Sequence, residues 1–243
     1  MIKLILCEGK IDVIFLSYYL EKICDWAPLG TKGSLSAGFN PETDVARGEE
    51  KEWFTKENEQ LLVFAVGGKD NFKAFIKDKV MPGMVDAQNF SKIILMTDRD
   101  NRDEMGICHS FTGMFGGMVP EIKHNCWRRI KYTSSYERPE SIDLLLLIIP
   151  LSGYGALETV LLDALKEKDG TLVACAHEYI KEAEKIDCGY VSSEGKKLKA
   201  HLGAVWAVKS PERAFGLIKT QIYGIHWETY GNITQCFQLL NNL

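Results

Sequence analysis

The sequence lacks any long apolar run, since its longest, Leu144 to Leu151, is far too short to span a bilayer. It also lacks a secretory leader at its start, because Met1 to Cys7 runs directly into the acidic Glu8. Its seven cysteines are odd in number and form no C-x-x-C pair. These absences argue against a membrane-spanning protein and a disulfide scaffold, and they predict a cytoplasmic protein with reduced thiols.

The sequence also lacks a strong excess of either charge. Its 29 Lys and Arg residues against 33 Asp and Glu residues give a net charge of -4. A chain whose whole surface binds nucleic acid would be basic, so only a local basic face is compatible with this balance. The motif G-x-x-x-x-G-K-[ST] is absent as well, which excludes a P-loop ATPase within these 243 residues.

Four short apolar runs alternate with helical patterns in the first two thirds of the chain. Each run reads as a buried strand, and the runs are Ile2 to Cys7, Leu61 to Val66, Lys92 to Thr97 and Ile142 to Pro150. Strands that alternate with helices indicate an α/β fold, here a mostly parallel, four-stranded sheet between helices.

Composition suggests a core with two additions. Residues 1–168 form the predicted α/β core, interrupted at about 27–60 by a charged, glycine-containing insertion without a clear period. Residues 169–243 show helical patterns and no convincing strand, which predicts a helical C-terminal extension.

Acidic residues follow two of the predicted strands. Glu8 ends the first, Asp98 and Asp100 follow the third, and Asp12 lies one helical turn beyond Glu8. Ligands of parallel sheets bind beyond the carboxyl ends of the strands, so these side chains are expected to converge. Converging carboxylates repel one another and need a cation, and an all-oxygen ligand set favours Mg²⁺ or Mn²⁺.

Each of these signals is weak alone. An isolated Glu-Gly is usually a turn, and an isolated D-x-D is usually a capping or solvated feature. Their value comes from their joint placement, in this order, at the ends of buried strands.

The chain resembles the Toprim family in three segments, which read LCEGKIDVIFLSYYL, VGGKDNF and ILMTDRDN. Glu8-Gly9 corresponds to the family's glutamate turn and Asp98-Arg99-Asp100 to its D-x-D. The spacing of Glu8 and Asp12 is most similar to the overcoming-lysogenization-defect nucleases and small stand-alone Toprim proteins. The resemblance covers about Met1 to Asn101 and implies a Rossmann-like core.

The resemblance also implies roles for individual residues. Glu8 would be a metal ligand and the catalytic acid or base, while Asp12, Asp98 and Asp100 would hold Mg²⁺ or Mn²⁺. Nuclease members use a later acid, for which Glu158 is the candidate, although it also fits a favourable charge in the first turn of a helix. No residue matches the nuclease lysine convincingly, and Lys69 and Lys209 are guesses.

One basic stretch is interleaved with Trp127 and Tyr132, and it consists of Lys123, Arg128, Arg129 and Lys131. It could follow a phosphate backbone and stack on bases, or it could be a solvated edge element with a buried tryptophan. The lysines of a second charged run, Lys196, Lys197 and Lys199, are expected on a solvated helix face.

The leading hypothesis is a metal-dependent phosphodiesterase or nuclease that acts on DNA or RNA. A separate ATPase subunit is a candidate partner, because related Toprim modules often act with one. The alternative is a non-catalytic Toprim module that acts with a DNA-repair or defence partner. A sugar-nucleotide transferase, which would hold metal and diphosphate with the D-x-D, ranks last because it gives Glu8 no role.

Overall fold

A computed structural model describes residues 2–30, 38–85, 90–213 and 216–243. The chain is an α/β protein with one mixed, seven-stranded sheet between helices. The strands are β1 Ile2–Cys7, β2 Ala27–Gly30, β3 Glu50–Lys56, β4 Glu59–Ala65, β5 Phe90–Asp98, β6 Arg128–Thr133 and β7 Pro139–Ile149.

The sheet is larger than the four strands expected. Its order is β2-β3-β4-β1-β5-β7-β6. The four inner strands β4, β1, β5 and β7 are parallel and correspond to the four apolar runs of the sequence. The edges are antiparallel, with β2 and β3 added beside β4, and β6 added beside β7.

The helices that cover this sheet are α1 Lys10–Lys22, α2 Phe72–Phe75, α3 Met81–Val85, α4 Glu104–Met114, α5 Leu157–Ile186, α6 Glu194–Lys209, α7 Ile218–Tyr223 and α8 Gly231–Phe237. A π-helical turn, Ile76–Val80, joins α2 to α3. Among the residues that the structure describes, no helix is long and apolar enough to cross a membrane.

The segment predicted as an insertion loop at about 27–60 contributes strands to the sheet. Trp53 and Phe54 are fully buried in β3 although they stand among charged residues. The run EEKEWFTK has no alternating apolar pattern, so its pairing with β4 could not be read from periodicity. Residues 31–37 of that segment lie outside the described ranges.

Side chains of the inner strands alternate between two hydrophobic cores. Leu4 and Leu6 of β1 belong to the core under α2, α3 and α4. Ile5 and Cys7 belong to the other core, under α1, α5 and the C-terminal helices. Both faces of the sheet are therefore covered, as parallel strands require.

The C-terminal helices contribute to the second core. Phe237 of α8 lies 5.1 Å from Phe15 and 5.4 Å from Tyr19, measured between ring centroids. The side chain of Tyr18 donates a hydrogen bond to Glu228.

Helix α5 runs through the expected boundary at residues 168 and 169, with non-helical backbone at Asp169. The division into a core and an extension stays a prediction.

Phe237→Ala is expected to lower the free energy of unfolding by about 3–5 kcal/mol, because it opens a cavity between α8 and α1. Urea unfolding followed by circular dichroism measures this loss. Tyr179→Ala, at an exposed position on α5, is the control and should change stability by less than about 0.5 kcal/mol. A loss below 1 kcal/mol for Phe237→Ala would show that α8 does not pack on α1 in solution.

Candidate active site

The candidate site lies at the carboxyl end of the inner strands, between β1 and β5. The helix after β1, α1, packs in the second core on one face of the sheet, whereas α4, the helix after β5, packs in the core on the other face. Two neighbouring strands whose connections leave in opposite directions create a crevice where α/β proteins bind ligands.

Glu8 and Asp12 are positioned by the turn that joins β1 to α1. Gly9 is the N-cap residue of α1, and its amide donates to Asp12 Oδ2 at 2.8 Å. Asp12 therefore satisfies an amide that would otherwise lack a partner at the helix start, and it also gains from the positive end of the helix dipole. Its side chain is nevertheless buried, with 7% exposure.

Asp98 is the last residue of β5, beside Glu8. Glu8 Oε1 accepts hydrogen bonds from Thr97 Oγ1 at 2.6 Å and from the Asp98 amide at 2.9 Å. Asp98 Oδ1 in turn accepts from the amide of Leu157, the first residue of α5, at 3.0 Å. These bonds connect the ends of β1 and β5 with the start of α5.

Glu158 reaches the same place through the loop after β7. Asp100 and Gly155 exchange two backbone hydrogen bonds, of 2.7 and 3.0 Å, which hold this loop against the end of β5. Gly155 has φ +131°, and a Cβ atom there would lie 2.2 Å from Thr159 Oγ1. A glycine is required at that position, and the loop then delivers Glu158 into the first turn of α5.

Four of the acidic residues predicted from sequence thus meet in one pocket of about 300 Å³. Its lining includes Glu8, Asp12, Asp98 and Glu158. Basic side chains also line the pocket, and these are Lys10, Arg47 and Lys199. Lys199 Nζ lies 3.7 Å from Glu158 Oε1.

Burial and mutual repulsion raise the pKa values of three of these acids. Burial raises the pKa of Asp12 to about 7; the Gly9 hydrogen bond opposes this shift, the charges of Glu8 and Glu158 add to it, and Lys199 lowers it. Burial also raises the pKa of Asp98, with added repulsion from Asp12 and Glu8. Burial raises the pKa of Glu8 and the charge of Asp100 adds to this shift, whereas the hydrogen bonds from Thr97 and Asp98 lower it. The pocket therefore concentrates negative charge that the protein itself only partly compensates.

The donor chemistry of the pocket fits Mg²⁺ or Mn²⁺. Within the described ranges, no group of three or more His, Cys, Asp or Glu side chains could hold a metal ion as the side chains stand. In the hydrogen bonds among these same residues, Glu8, Asp12 and Asp98 each turn one oxygen towards a protein donor. Among the described residues, no hydrogen bond is made to their second carboxylate oxygens, and oxygen ligands are what these ions prefer.

Asp100, also predicted as a metal ligand, is placed differently. Its Oδ2 accepts a hydrogen bond from Lys69 Nζ at 2.7 Å, and it does not line the acidic pocket. Its backbone has φ +51° and is engaged with Gly155. The two acids of the D-x-D thus have different partners, and Asp100 serves the loop that carries Glu158.

The predicted nucleic-acid-binding stretch lies on another part of the sheet. Arg128, Arg129 and Lys131 belong to the edge strand β6, and Lys123 precedes it. Arg128 pairs with Leu144 of β7, whereas Asp98 pairs with Ile149 of the same strand. The basic stretch therefore begins five residues along β7 from the level of the acidic pocket. Arg129 forms two hydrogen bonds with Asp143, of 2.8 and 2.9 Å. A role in nucleic-acid binding stays a prediction for this stretch.

Sequence reasoning missed the cations at the pocket. Lys199 belonged to a run expected on a solvated helix face, and it reaches the acids only because α6 packs along α5. Arg47 stood in a segment expected to be a loop. The two lysines guessed from sequence are bound elsewhere, since Lys69 pairs with Asp100 and Lys209 with Asp169. No local pattern distinguishes Lys199 from Lys196 or Lys197.

Comparisons with known proteins leave the function open. No family model matches the chain, and no curated protein matches it. A solved structure, a hypothetical protein from Pyrococcus horikoshii OT3, is similar over 98% of this chain and 99% of that chain, with 17% sequence identity and a TM-score of 0.46. A likeness of this degree supports no argument, so function is argued from the chain's own residues.

In the presence of a chelator, the protein is expected to become more stable as the pH falls from about 8 towards 5. A carboxyl group with a raised pKa in the folded state binds more protons there than in the unfolded chain, so deprotonation near pH 7 weakens folding. Asp12→Asn should increase the free energy of unfolding at pH 8 by about 2 kcal/mol and flatten this pH dependence.

Urea unfolding in EDTA at several pH values measures both effects. Asp163→Asn, which changes an exposed acid on α5, is the matched control and should leave the pH dependence unchanged. If the stability of the parent protein does not change between pH 5 and 8, burial and neighbouring charges do not raise the pKa values of these acids in the folded state.

Proposed function

We propose that the protein is a metal-dependent phosphodiesterase that cleaves nucleic acid, either DNA or RNA. The observation that supports this most directly is the pocket, where Glu8, Asp12, Asp98 and Glu158 meet beneath Lys10, Arg47 and Lys199. The acids come from the ends of β1 and β5 and from the starts of α1 and α5, so the most rigid parts of the fold hold them.

The combination of acids and bases suits a phosphodiester. A purely acidic pocket would repel a phosphate, and a purely basic one would bind it without holding a divalent cation. Here the acids form a cluster that requires positive charge, and the Lys199 side chain at the same pocket can receive a phosphate oxygen. Phosphoryl transfer depends mainly on such positioning and charge compensation.

In this proposal, the free carboxylate oxygens of Glu8, Asp12 and Asp98, with Glu158, hold Mg²⁺ or Mn²⁺. The ion, when bound, supplies an activated water and neutralises charge on the phosphate. Asp12 and Asp98 keep their hydrogen bonds to Gly9 and Leu157, which fix the direction of each carboxylate.

The protein's own groups account for the remaining steps. Water attacks phosphorus and its proton passes to a carboxylate, while the bond from phosphorus to the sugar oxygen breaks and that oxygen takes up a proton from solvent water. Glu8 is the proposed proton acceptor, because it is held by Thr97 and the Asp98 amide and its pKa is raised by burial. Lys199 is proposed to contact a phosphate oxygen on which negative charge increases.

A non-catalytic Toprim module is the second candidate, and one observation favours it. Asp100 is paired with Lys69, so the D-x-D does not offer both of its acids to the pocket. Such a module would bind a DNA-repair or defence partner, or DNA, without cleaving it. The separate partners of Asp98 and Asp100 disfavour a sugar-nucleotide transferase, which would use both acids on one ion.

The proposal predicts that the parent protein binds Mg²⁺ or Mn²⁺ in calorimetric titration and nicks plasmid DNA or cleaves RNA. The variant Glu8→Gln/Asp98→Asn should lose detectable metal binding and at least about 10²-fold of the activity, because it removes two ligand charges. Asp163→Asn, which removes an acid outside the pocket, should retain both properties. Metal binding without cleavage would support the binding module, and the absence of metal binding at millimolar concentration would refute the phosphodiesterase.

Lys199→Gln is expected to lower kcat by about 10²-fold, because it removes a cation that stabilises negative charge on the phosphate. It should not weaken metal binding, because the lost lysine charge repels the metal ion. Steady-state kinetics at several Mg²⁺ concentrations separate these two effects. Lys196→Gln, an exposed lysine on the same helix, is the control and should behave like the parent protein. Equal kinetics for both variants would remove Lys199 from the proposed site.

A further inference from the structure

Arg47 lies in a short turn that is firmly held within residues 38–49. Asp44 caps this 3₁₀ turn, because its Oδ1 accepts a hydrogen bond from the Ala46 amide at 3.0 Å. The Asp44 amide donates to Glu49 Oε2 at 2.8 Å, and Gly48 ends the turn with φ +74°. The turn is therefore ordered locally, ahead of β3.

The turn is also fixed against the sheet by a close backbone contact. A Cβ atom at Gly67 would lie 2.1 Å from the carbonyl oxygen of Arg47, and Gly67 has φ +76°. Gly67 follows β4, whose neighbour β1 ends at Cys7, directly before Glu8. The absence of a side chain at Gly67 allows the turn to approach the carboxyl end of the sheet and brings Arg47 to the pocket.

Arg47 and Lys199 both line the pocket, but their ion-pair partners differ. Lys199 lies beside Glu158, one of the pocket acids. The Arg47 guanidinium is 71% exposed and pairs with Asp44 of its own turn at 3.2 Å. Lys10, on the pocket wall, likewise pairs with Glu50 at the start of β3. The ion-pair partners of these two cations, Asp44 and Glu50, are therefore acids that do not line the pocket.

We propose that Arg47 binds a phosphate that neighbours the reacting one, so that the substrate is an oligonucleotide strand and not an isolated phosphodiester. This inference rests on the proposed function and specifies its substrate class. A guanidinium binds phosphate with two parallel hydrogen bonds. Exposed ion pairs contribute little, so a substrate phosphate can replace Asp44 as the partner of Arg47.

The test compares two substrates and one binding measurement. Arg47→Gln should raise KM for a fluorescent oligonucleotide by about tenfold. In a plot of log association constant against log salt concentration, it should make the negative slope shallower by about 0.7–0.9, which is the contribution of one phosphate contact. Hydrolysis of bis-p-nitrophenyl phosphate, which has a single phosphate, should stay within about twofold of the parent rate. The binding measurement is made in EDTA, without turnover.

Three further variants define the contribution of Arg47. Arg47→Lys retains the charge and should recover the salt slope but only part of the affinity. Gly67→Ala displaces the Arg47 turn and should reproduce the change in salt slope in the binding measurement. Arg138→Gln is the matched control. This exposed arginine directly precedes β7, at the end of the strand far from the pocket, and its variant should have the KM and salt slope of the parent protein.

The outcomes separate this inference from the proposed function. If Arg47→Gln loses activity equally on both substrates, Arg47 acts on the reacting phosphate, and the inference is overturned. If the variant equals the parent in KM and salt slope, the inference is overturned as well. If the parent protein hydrolyses neither substrate, the proposed function fails, and the salt slope of binding still decides whether Arg47 contacts a phosphate.

Discussion

The burial of like charges at the carboxyl end of the sheet is the constraint on which the rest of the structure depends. Burial raises the pKa values of Asp12 and Asp98, and the charges of Glu8 and Glu158 beside them add to this shift. Several features offset part of this cost. The amides of Gly9 and Leu157 donate to Asp12 and Asp98 at the starts of α1 and α5, where helix dipoles favour negative charge. The remaining repulsion is what a bound cation would relieve.

A site with internal repulsion needs a rigid surrounding, because flexible segments would separate the charges. The inner strands provide this rigidity, since both of their faces are buried in hydrophobic cores. The C-terminal helices add to it. Phe237 packs on Phe15 of α1, and Asn232 donates a hydrogen bond to the carbonyl of Val160 in α5 at 3.0 Å. The predicted extension thus braces the two helices that begin at the acidic pocket.

The sequence was most informative where function coincides with regular structure. Glu8 and Asp98 could be located because each ends an apolar run, and parallel strands end at a common edge. Asp12 followed from helical spacing. For Glu158 two interpretations were open, a metal ligand or a favourable charge in the first turn of a helix. The Asp100–Gly155 backbone pair is what holds its loop at the pocket. That pair depends on positive φ angles, which the letters of the sequence do not disclose.

The sequence was least informative where tertiary contacts decide. The same backbone pair turns Asp100 towards Lys69, so the two acids of one motif separate. Strand β3 was missed because Trp53 and Phe54 stand in a charged run, and its burial comes from pairing with β4. Lys199 and Arg47 reach the pocket through the packing of α6 and through the contact with Gly67.

These differences point to a division of labour within the pocket. The acids stand at the ends of β1 and β5 and at the starts of α1 and α5, so the α/β core alone can place them. Arg47 comes from the segment between β2 and β3, and Lys199 from the helices after α5. Cation binding would then belong to the core, and recognition of phosphate would depend largely on the two additions. On this view, the additions determine which phosphate esters the acidic pocket can receive.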